Sequence, residues 1–292
     1  MFDQKILVLG CGYVGKGIVD FFKDHYEIEV YDPLLFGEEN AERINDFKDR
    51  YRGKRVTRVQ DFAQNEYDLA VVCTPTPMAE DKNCNVSMVD EVVASAKAKV
   101  ILIKSTVKPG TTERLKAETG KRIVFSPEYL GEGKYWSEYK FHTDMKECPF
   151  FIFGGDEADN NFVMDLFVQV AGPTKRYFKT SAKNAEVIKY MENTYFGVKV
   201  TFANEMKSIC DALGADYYTV REGWGLDPRV DKMHTMVFPD NRGFGGKCLP
   251  KDLNAIVKAA EEAGYSAEFL KAMLSSNDRF RAMNSKEREK TK

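Results

Sequence analysis

The sequence predicts an α/β protein: a Rossmann-like doubly wound parallel sheet, then a long connecting helix, then a small all-helical second domain. Three observations support this fold class. Short β-branched apolar runs alternate with amphipathic stretches through the first half of the chain, a glycine motif follows the first run, and the pattern becomes continuously helical from Ser181 onward.

The apolar runs mark the strands of the sheet, because parallel strands buried on both faces are rich in valine, isoleucine and leucine. In chain order they are KILVLG, EIEVYD, YDLAVVCT, KVILIKS, RIVFS and PFFIFGG. The first helix is expected near Val14 to Lys23. We expect a Rossmann-like domain over residues 1–180, a connecting helix over 181–213, a helical domain over 214–284 and a disordered polar tail over 285–292.

Composition and charge argue against two classes of partner. The 292 residues are 43% hydrophobic and 30% charged, and the net charge of -2 provides no attraction for nucleic acid or for an anionic membrane. The first apolar run is short and ends in glycines, unlike a signal peptide or a membrane span, so we expect a cytoplasmic protein. Six cysteines without a CxxC pair, and three histidines, indicate neither a disulfide framework nor a metal site.

A glycine motif, GCGYVG, directly follows the first predicted strand. Gly10, Gly12 and Gly15 would let a pyrophosphate approach the backbone amides and the positive end of the next helix. The second strand ends at Asp32, about twenty residues further on, where a carboxylate accepts hydrogen bonds from an adenosine ribose and repels a 2′-phosphate. These features predict NAD rather than NADP. The alternative is an ordinary strand-to-helix turn with an incidental acid.

Polar residues follow three other predicted strands. Thr74-Pro75-Thr76 comes after the third, Ser105-Thr106 after the fourth, and Glu128 with Glu132 after the fifth. The carboxyl ends of parallel strands share one edge of a sheet, and open α/β sheets bind ligands there. Two neighbouring acids at that edge are candidates for general-base catalysis. The alternative interpretations are hydroxyl-capped loops and solvated surface carboxylates.

The long helix carries a polar stripe. Glu186, Lys189 and Asn193 are spaced by three and four residues, so they share one face of the helix, while Val187 and Met191 supply apolar surface elsewhere. Two interpretations stay open: a functional face turned toward a site, and an ordinary charged surface turned toward solvent.

Cys248 lies between a glycine run and a proline, in GFGGKCLP. Pro250 suits the first turn of a helix, so Cys248 is expected just before a helix N-terminus. There the macrodipole, together with Lys247 and Lys251, would stabilise a thiolate, and Asp252 begins the same helix. The alternative is that Cys248 is a small buried hydrophobe, as most free cysteines are.

A dinucleotide fold combined with an activated cysteine narrows the chemistry. Oxidising an alcohol to a ketone needs no nucleophile, whereas oxidising an aldehyde by hydride transfer first needs a tetrahedral adduct. A cysteine forms that adduct as a thiohemiacetal, and the thioester produced next is opened by water with help from a general base. The sequence therefore predicts an oxidoreductase in which Cys248 is the nucleophile.

Six motifs occur in a characteristic order: GCGYVG, VCTPTP, IKSTVKPGTT, SPEYLGEG, AEVIKYMENTYFGVKVTFANE and GFGGKCLPKD. In order and approximate spacing they resemble the UDP-glucose/GDP-mannose dehydrogenase family, from about residue 3 to about residue 284. The resemblance implies a four-electron oxidation of a nucleotide sugar, UDP-glucose first among them, at C6 to the uronic acid. Two NAD molecules would be used in turn.

The resemblance also implies roles for individual residues. Cys248 would form the thiohemiacetal and the thioester. Lys189 and Asn193 would stabilise the developing oxyanion, as cationic and amide donors do. Asp252 and Thr106 would position a water or exchange protons.

Further implied roles concern hydrolysis, cofactor, sugar and assembly. Glu128 would be the base for thioester hydrolysis, and Glu132 and Lys251 would lie near the nicotinamide. Arg229 matches a family arginine that reaches the sugar site of a neighbouring subunit, and the 181–213 helix is the family's dimer core, so we expect a homodimer. The implied sugar contacts are Tyr129, Leu130, Gly131, Lys189, Asn193, Arg229, Phe244 and Gly245. The expected NAD contacts are Gly10, Gly12, Tyr13, Val14, Gly15, Asp32, Thr74, Pro75, Thr76, Ser105, Thr106, Glu132 and Lys251.

Family members usually continue into a second Rossmann-like domain that holds much of the nucleotide, and the resemblance implies that this chain lacks that C-terminal domain. Two other functions stay open. One is a two-electron hydroxy-acid dehydrogenase, whose catalytic lysine would match Lys189. The other is a non-catalytic NAD-binding relative.

Overall fold

The computed structural model of the chain describes residues 3–131 and 143–290, with side chains described as far as residue 284. The chain divides into two compact units. The first comprises Met1–Pro77 and Asn85–Lys189, and the second comprises Met78–Cys84 and Tyr190–Lys292. The main division therefore falls inside the long helix, and one short segment after the fourth strand groups with the second unit.

Among the described residues, the sheet of the first unit has eight strands: β1 (Lys5–Leu9), β2 (Glu27–Tyr31), β3 (Val56–Arg58), β4 (Tyr67–Val72), β5 (Ala98–Ile103), β6 (Ile123–Phe125), β7 (Phe150–Gly154) and β8 (Arg176–Thr180). Their order across the sheet is β3-β2-β1-β4-β5-β6-β7-β8, so the direction of chain progression reverses between β1 and β4. In open α/β sheets, ligands bind at this switch point, beyond the carboxyl ends of the strands. The predicted doubly wound sheet is confirmed.

Parallel pairing joins the strands from β3 to β6, and also joins β7 to β8. The prediction of parallel strands is wrong at one place, because β7 runs antiparallel to β6. A parallel return needs a crossover connection, which is usually a helix. Between β6 and β7, the described part of the chain contains a 3-10 turn at Met145–Glu147 and no α-helix. The chain therefore enters β7 from the edge at which β6 ends.

Both faces of the sheet are covered. On β1, Ile6 and Val8 pack into one apolar cluster while Leu7 and Leu9 pack into another, as the two-residue period of a strand requires. This burial on both sides explains the nearly continuous apolar sequence of the strands. The covering helices are α1 (Tyr13–Phe22), α2 (Ala41–Arg50), α3 (Ser87–Ser95), α4 (Thr111–Thr119) and α5 (Glu157–Ala171).

The long helix α6 (Ala182–Leu213) begins in the first unit, where Glu186 is fully buried. Its Oε1 accepts hydrogen bonds from the amide and the hydroxyl of Thr112, at 2.9 and 2.6 Å, and its Oε2 accepts one from the Gly110 amide at 2.5 Å. Burial raises the pKa of this carboxyl above its ordinary value, although the three donors oppose the shift. Glu186 thus caps α4 and anchors the loop that follows β5. At this position the solvent-exposed interpretation of the polar stripe is wrong.

The second unit contains the remainder of α6 with α7 (Tyr217–Trp224), α8 (Leu249–Glu262) and α9 (Glu268–Lys290). The sequence predicts a small helical domain over 214–284, and α7, α8 and most of α9 lie in that range. Two apolar clusters join the elements of the second unit: one contains Ala203, Cys210, Tyr217 and Val237, and the other contains Phe244, Leu253 and Met273.

Helix α9 extends into the segment 285–292, for which the sequence predicts a disordered tail. The backbone is helical as far as Lys290. Lysine, glutamate and arginine are good helix formers, so a charged segment of this composition can continue a helix without burying apolar surface.

In the ranges that the structure describes, no helix is both long enough and apolar enough to cross a membrane.

Candidate active site

The glycine motif forms a tight turn between β1 and α1. Gly10 has a φ of +94°, in the left-handed region, and a Cβ there would lie 2.8 Å from the Cys73 carbonyl oxygen. A Cβ on Gly15 would lie 1.9 Å from the Gly10 carbonyl oxygen, so the helix and the turn meet backbone to backbone. At Gly12, by contrast, a Cβ would meet nothing within 4 Å. Gly10 therefore permits the tight turn, Gly12 leaves space for a ligand at the start of the helix, and Gly15 allows the helix to pack closely on the turn. A pyrophosphate-binding turn requires all three.

The start of α1 is suited to an anion. Its N-cap residue is Gly12, which has no side chain that could cap the helix. The first turn, which includes Tyr13 and Val14, contains no acidic residue. The first amide groups of an α-helix have no acceptor within the helix, and the macrodipole places partial positive charge there. The space at Gly12 and this donor set fit the pyrophosphate of a dinucleotide.

Asp32 follows β2 as predicted, and it is 8% exposed. Its Oδ2 accepts a hydrogen bond from the Cys11 amide at 2.7 Å, and its Oδ1 accepts one from the Leu34 amide at 2.9 Å. Each carboxylate oxygen has a second lone pair, with which it can accept from a ribose hydroxyl. Asp32 therefore fixes the glycine turn and also retains acceptors for the adenosine ribose.

Hydroxyl residues beyond β4 and β5 bond to the opposite loop. The Ser105 hydroxyl donates to the Thr74 carbonyl oxygen at 2.7 Å, and the Thr76 hydroxyl donates to the Thr106 carbonyl oxygen at 2.7 Å. These two hydroxyls tie the loop after β4 to the loop after β5, and the cofactor contacts expected of Ser105 and Thr76 stay predictions. Pro75, which lies between Thr74 and Thr76, is exposed. The Thr74 hydroxyl is buried at the switch point without a hydrogen-bond partner among the described residues, and such a group is able to donate to a ligand.

Glu128 lies beyond β6 and is 9% exposed, so it is not a solvated surface acid. Its Oε1 accepts hydrogen bonds from the amides of Tyr129 and Leu130, both at 2.8 Å, and its Oε2 lies 3.2 Å from Lys104 Nζ. Lys104 is not among the site residues that the sequence predicts. The available signal was a lysine at the end of an apolar strand, in VILIK, because a buried lysine needs a partner.

The segment Tyr129–Gly131, an implied sugar contact, continues from this acid. The Tyr129 ring centroid lies 5.3 Å from the Lys189 ammonium, which is a cation–π contact. Leu130 packs on α1, because a Cβ on Gly17 would approach its Cδ1 to 2.4 Å. Glu132, an expected cofactor contact, lies outside the described residues.

In the second unit, Cys248 is exposed and occupies the N-cap position of α8. Pro250 lies in the first turn, so the predicted placement of the cysteine at a helix N-terminus is confirmed. Cys210, in contrast, is 4% exposed within an apolar cluster. The thiol of Cys248 is therefore reachable from solvent, in a position where the helix dipole favours a thiolate.

Asp252, in the first turn of α8, is 1% exposed. Its two oxygens are held separately: Asn193 Nδ2 donates to Oδ2 at 2.5 Å, and Lys251 Nζ lies 2.6 Å from Oδ1. Lys251 Nζ also lies 3.9 Å from the Cys84 sulfur, in the short segment that groups with this unit. The second unit thus places Asn193, Lys251 and Asp252 in direct contact, at the start of the helix that Cys248 caps. Cys84 carries no signal in the sequence that would have found it.

The loop before Cys248 is held by two asparagines of α9. Asn277 accepts from the Phe244 amide at 2.7 Å and donates to the Phe244 carbonyl oxygen at 3.1 Å. Asn284 accepts from the Arg242 amide at 2.7 Å and donates to the Arg242 carbonyl oxygen at 3.0 Å. The Phe244 ring is buried, so this residue anchors the loop, whereas Gly245 is partly exposed.

In the described ranges, no group of three or more histidine, cysteine, aspartate and glutamate side chains is arranged to hold a metal ion.

Two family models match the chain. The NAD binding domain of the UDP-glucose/GDP-mannose dehydrogenase family matches residues 41–164, and the central domain of the same family matches residues 183–279. The chain belongs to the UDP-glucose/GDP-mannose dehydrogenase family. The resemblance seen in the motifs is confirmed, and the match to an NAD binding domain supports a nicotinamide-nucleotide cofactor.

Curated members of the UDP-glucose/GDP-mannose dehydrogenase family are similar along most of this chain. It is 27% identical to a UDP-glucose 6-dehydrogenase of Haloferax volcanii, over 94% of this chain and 70% of that protein. It is 31% identical to one of Bacillus subtilis, over 74% of this chain and 50% of that protein. The chain therefore spans from half to about 70% of the length of these relatives.

A solved member of the UDP-glucose/GDP-mannose dehydrogenase family has the same fold. The UDP-glucose dehydrogenase of Pyrobaculum islandicum is similar with a TM-score of 0.78 and 25% identity, over 95% of this chain and 68% of that one. The glycine turn at Gly10–Gly15 precedes the range 41–164 that matches the NAD binding domain. For this turn, the support for a dinucleotide cofactor therefore comes from its geometry.

Replacing Gly12 by valine should abolish NAD binding and leave the fold intact. The new side chain would fill the open space at the start of α1, while the φ of -75° at this position suits any residue. Gly15→Ala should instead lower the free energy of unfolding by about 1–3 kcal/mol, because its Cβ overlaps the Gly10 carbonyl. Calorimetric titration with NAD and thermal unfolding separate the two effects. Wild-type NAD affinity in Gly12→Val would show that the cofactor binds elsewhere.

Iodoacetamide at pH 8 should alkylate Cys248 and spare Cys11 and Cys73. Burial raises the pKa of Cys11 to about 11 and also raises that of Cys73. About one Cys11 thiol in a thousand is then ionised at pH 8, and the thiolate is the reactive form. Peptide mapping over time measures each rate, with Cys248→Ser as the control. Equal labelling of Cys11 and Cys248 would contradict the assignment of Cys248 as the reactive thiol.

Proposed function

We propose that this chain is an NAD-dependent nucleotide-sugar 6-dehydrogenase that oxidises UDP-glucose at C6 to the uronic acid in two successive two-electron steps. The observation that carries the proposal is the start of α8, where an exposed cysteine caps the helix and Asp252 is buried between Asn193 and Lys251. A ketone-forming dehydrogenase has no use for such a thiol, whereas aldehyde oxidation requires one. Family membership and the UDP-glucose dehydrogenases among the relatives support the substrate class.

The cofactor would be held by the glycine turn and by Asp32. Gly10, Gly12 and Gly15 leave room for a pyrophosphate at the start of α1, and Asp32 retains acceptors for the ribose. When bound, the nicotinamide supplies the hydride acceptor. The Thr74 hydroxyl, buried and without a partner among the described residues, would donate to the bound cofactor.

Cys248 would perform the covalent step. Its sulfur attacks the C6 aldehyde, the new C–S bond forms, and the carbonyl electron pair moves to the oxygen. Lys189 and Asn193 would stabilise that oxyanion, while Asp252 and Thr106 would exchange protons with the substrate or with water. Loss of hydride from the adduct gives the thioester. A reducing cytoplasm would keep this thiol available.

Glu128 would act in the last step, the hydrolysis of the thioester. It is buried and hydrogen-bonded to main-chain amides, so its carboxylate is oriented before substrate arrives. A base that removes a proton from water makes the water a better nucleophile toward the thioester carbon. The product is then a carboxylate and a regenerated Cys248 thiolate.

Counting NADH per sugar tests the proposal. The protein with NAD and UDP-glucose should release two NADH for each uronic acid, measured by absorbance and by product chromatography. Cys248→Ser should release no uronic acid, because the reaction should stall at or before the acyl stage. Cys210→Ala, which changes a buried cysteine in an apolar cluster, is the matched control and should keep the ratio of two.

Three other results would redirect the assignment. No turnover with any nucleotide sugar would exclude the proposed activity. A ratio of one NADH that is insensitive to alkylation would favour a two-electron hydroxy-acid dehydrogenase. Calorimetry that detects NAD binding but no nucleotide-sugar binding would favour a non-catalytic relative.

We also propose a homodimer formed through α6. Met191, Tyr195, Phe202 and Leu213 on this helix are 73%, 54%, 49% and 78% exposed. Their spacings of four, seven and eleven residues repeat with the helical period, so they form one apolar stripe. A stripe of this extent marks an interaction surface. Arg229 is also exposed, with its guanidinium paired to Asp227, which suits the implied reach to a neighbouring subunit.

Met191→Glu combined with Phe202→Glu should convert a dimer into a monomer, because two charges would be buried at the interface. Light scattering after size-exclusion chromatography at micromolar concentration measures the mass. Phe178→Glu is the matched control, since Phe178 is 54% exposed on the edge strand β8 and should not affect assembly. A monomeric wild-type protein would contradict this proposal.

A further inference from the structure

Lys104 is a buried cation at the carboxyl end of β5. It is 4% exposed, and its ammonium lies 3.2 Å from Glu128 Oε2. The same nitrogen donates to the Pro127 carbonyl oxygen at 3.0 Å and to the Ser126 hydroxyl oxygen at 3.3 Å. Three consecutive residues beyond β6 therefore supply acceptors to this one side chain.

The surroundings of the ion pair are apolar or neutral. The thiols of Cys73 and Cys148 lie within the electrostatic field of both charges, and burial is the first cause that raises the pKa of each thiol, so both stay neutral. A low local dielectric strengthens the attraction between two charges and makes their separation more costly. The small cavity beside the pair is lined by the two charged residues themselves, by the neutral polar residues Ser126 and Tyr129, and by apolar residues that include Met145, Phe150, Phe151 and Ile152.

Stability alone is a poor explanation for this pair. Apolar residues of similar size often stabilise a fold as well as a buried ion pair does. The two oxygens of Glu128 are used differently: Oε1 accepts from two main-chain amides, whereas Oε2 faces the ammonium of Lys104. Without that ammonium, Oε2 would lose the contact that fixes its direction, and the carboxylate would be held through Oε1. A general base must keep a lone pair directed at the proton that it accepts.

We propose that Lys104 is a positioning residue for thioester hydrolysis, which holds Glu128 oriented to accept a proton from the attacking water. This inference rests on the role proposed above for Glu128. In the step, the water oxygen bonds to the thioester carbon, and the C–S bond breaks with its electron pair going to the Cys248 sulfur. One water proton passes to Glu128 and then to solvent, and the second leaves with ionisation of the product acid.

Lys104→Met tests the inference in the whole 292-residue chain with NAD and UDP-glucose. The first turnover should release two NADH per active site at nearly the wild-type rate. Steady-state turnover should then fall by about 10²–10⁴-fold, the range expected for loss of a general base. The intact mass of acid-quenched protein should show an acyl group, and peptide mapping should place it on Cys248.

Two further variants separate positioning from a general loss of structure. Lys104→Arg keeps the charge and should restore hydrolysis to within about tenfold of wild type, as charge-assisted hydrogen bonds to a carboxylate are retained. In a Glu128→Gln background, Lys104→Met should cause no additional loss, because both residues act on the same step. If Lys104→Met does not fold, Lys104→Gln takes its place with the same expected acyl accumulation.

Lys121→Met is the matched control within the same unit. Lys121 donates to the carbonyl oxygens of Val93, Ala94 and Ala96 at the end of α3, so its loss should lower the melting temperature without trapping an acyl group. Reduced turnover of Lys104→Met with no acyl group on Cys248 would overturn the inference. If Glu128→Gln traps the acyl group and Lys104→Met does not, the inference fails while the proposed function stands. An inactive wild-type protein would instead reject the proposed function.

Discussion

A carboxylate that is removed from water is costly unless hydrogen-bond donors or a cation replace its hydration, and this constraint fixes the loops of the candidate site. Asp32, Glu128, Glu186 and Asp252 are all buried. Asp32 holds the glycine turn by the Cys11 amide, and Glu186 holds the loop after β5 by two amides and a hydroxyl. Apolar packing builds the sheet, but buried charge sets the conformation of the segments that leave it.

The same constraint prepares these acids for chemistry. A carboxylate already held by fixed donors does not need to reorganise when substrate binds, which is the main advantage of a preorganised site over water. Glu128 and Asp252 each have their two oxygens held by different partners, so neither side chain can rotate freely. The proposed base and the proposed proton-exchanging acid are therefore positioned by the fold itself, independently of any ligand.

Local signals in the sequence identified the parts of the site whose structure is decided locally. The close approach of Gly15 to the Gly10 carbonyl is decided within a few residues, and the position of Cys248 depends on the proline that follows it, so both could be predicted. Lys104 and Glu128 are 24 residues apart, and Asn277 and Phe244 are 33 apart, and no short pattern in the sequence joins them. The prediction that β7 runs parallel to β6 was wrong for a related reason, because the direction of β7 depends on how a long connection returns to the sheet.

The position of Cys248 follows from two fixed segments on either side of it. After the cysteine, α8 is a regular helix whose first turn is tied down by the buried Asp252. Before it, the chain is held as far as Phe244 by the paired hydrogen bonds of Asn277. Backbone freedom is confined to the short stretch between them, where Gly246 has a φ of +80° that a larger residue would rarely adopt. The thiol that we propose forms and breaks a bond to carbon in each cycle thus lies in a short glycine-containing stretch between two hydrogen-bonded segments.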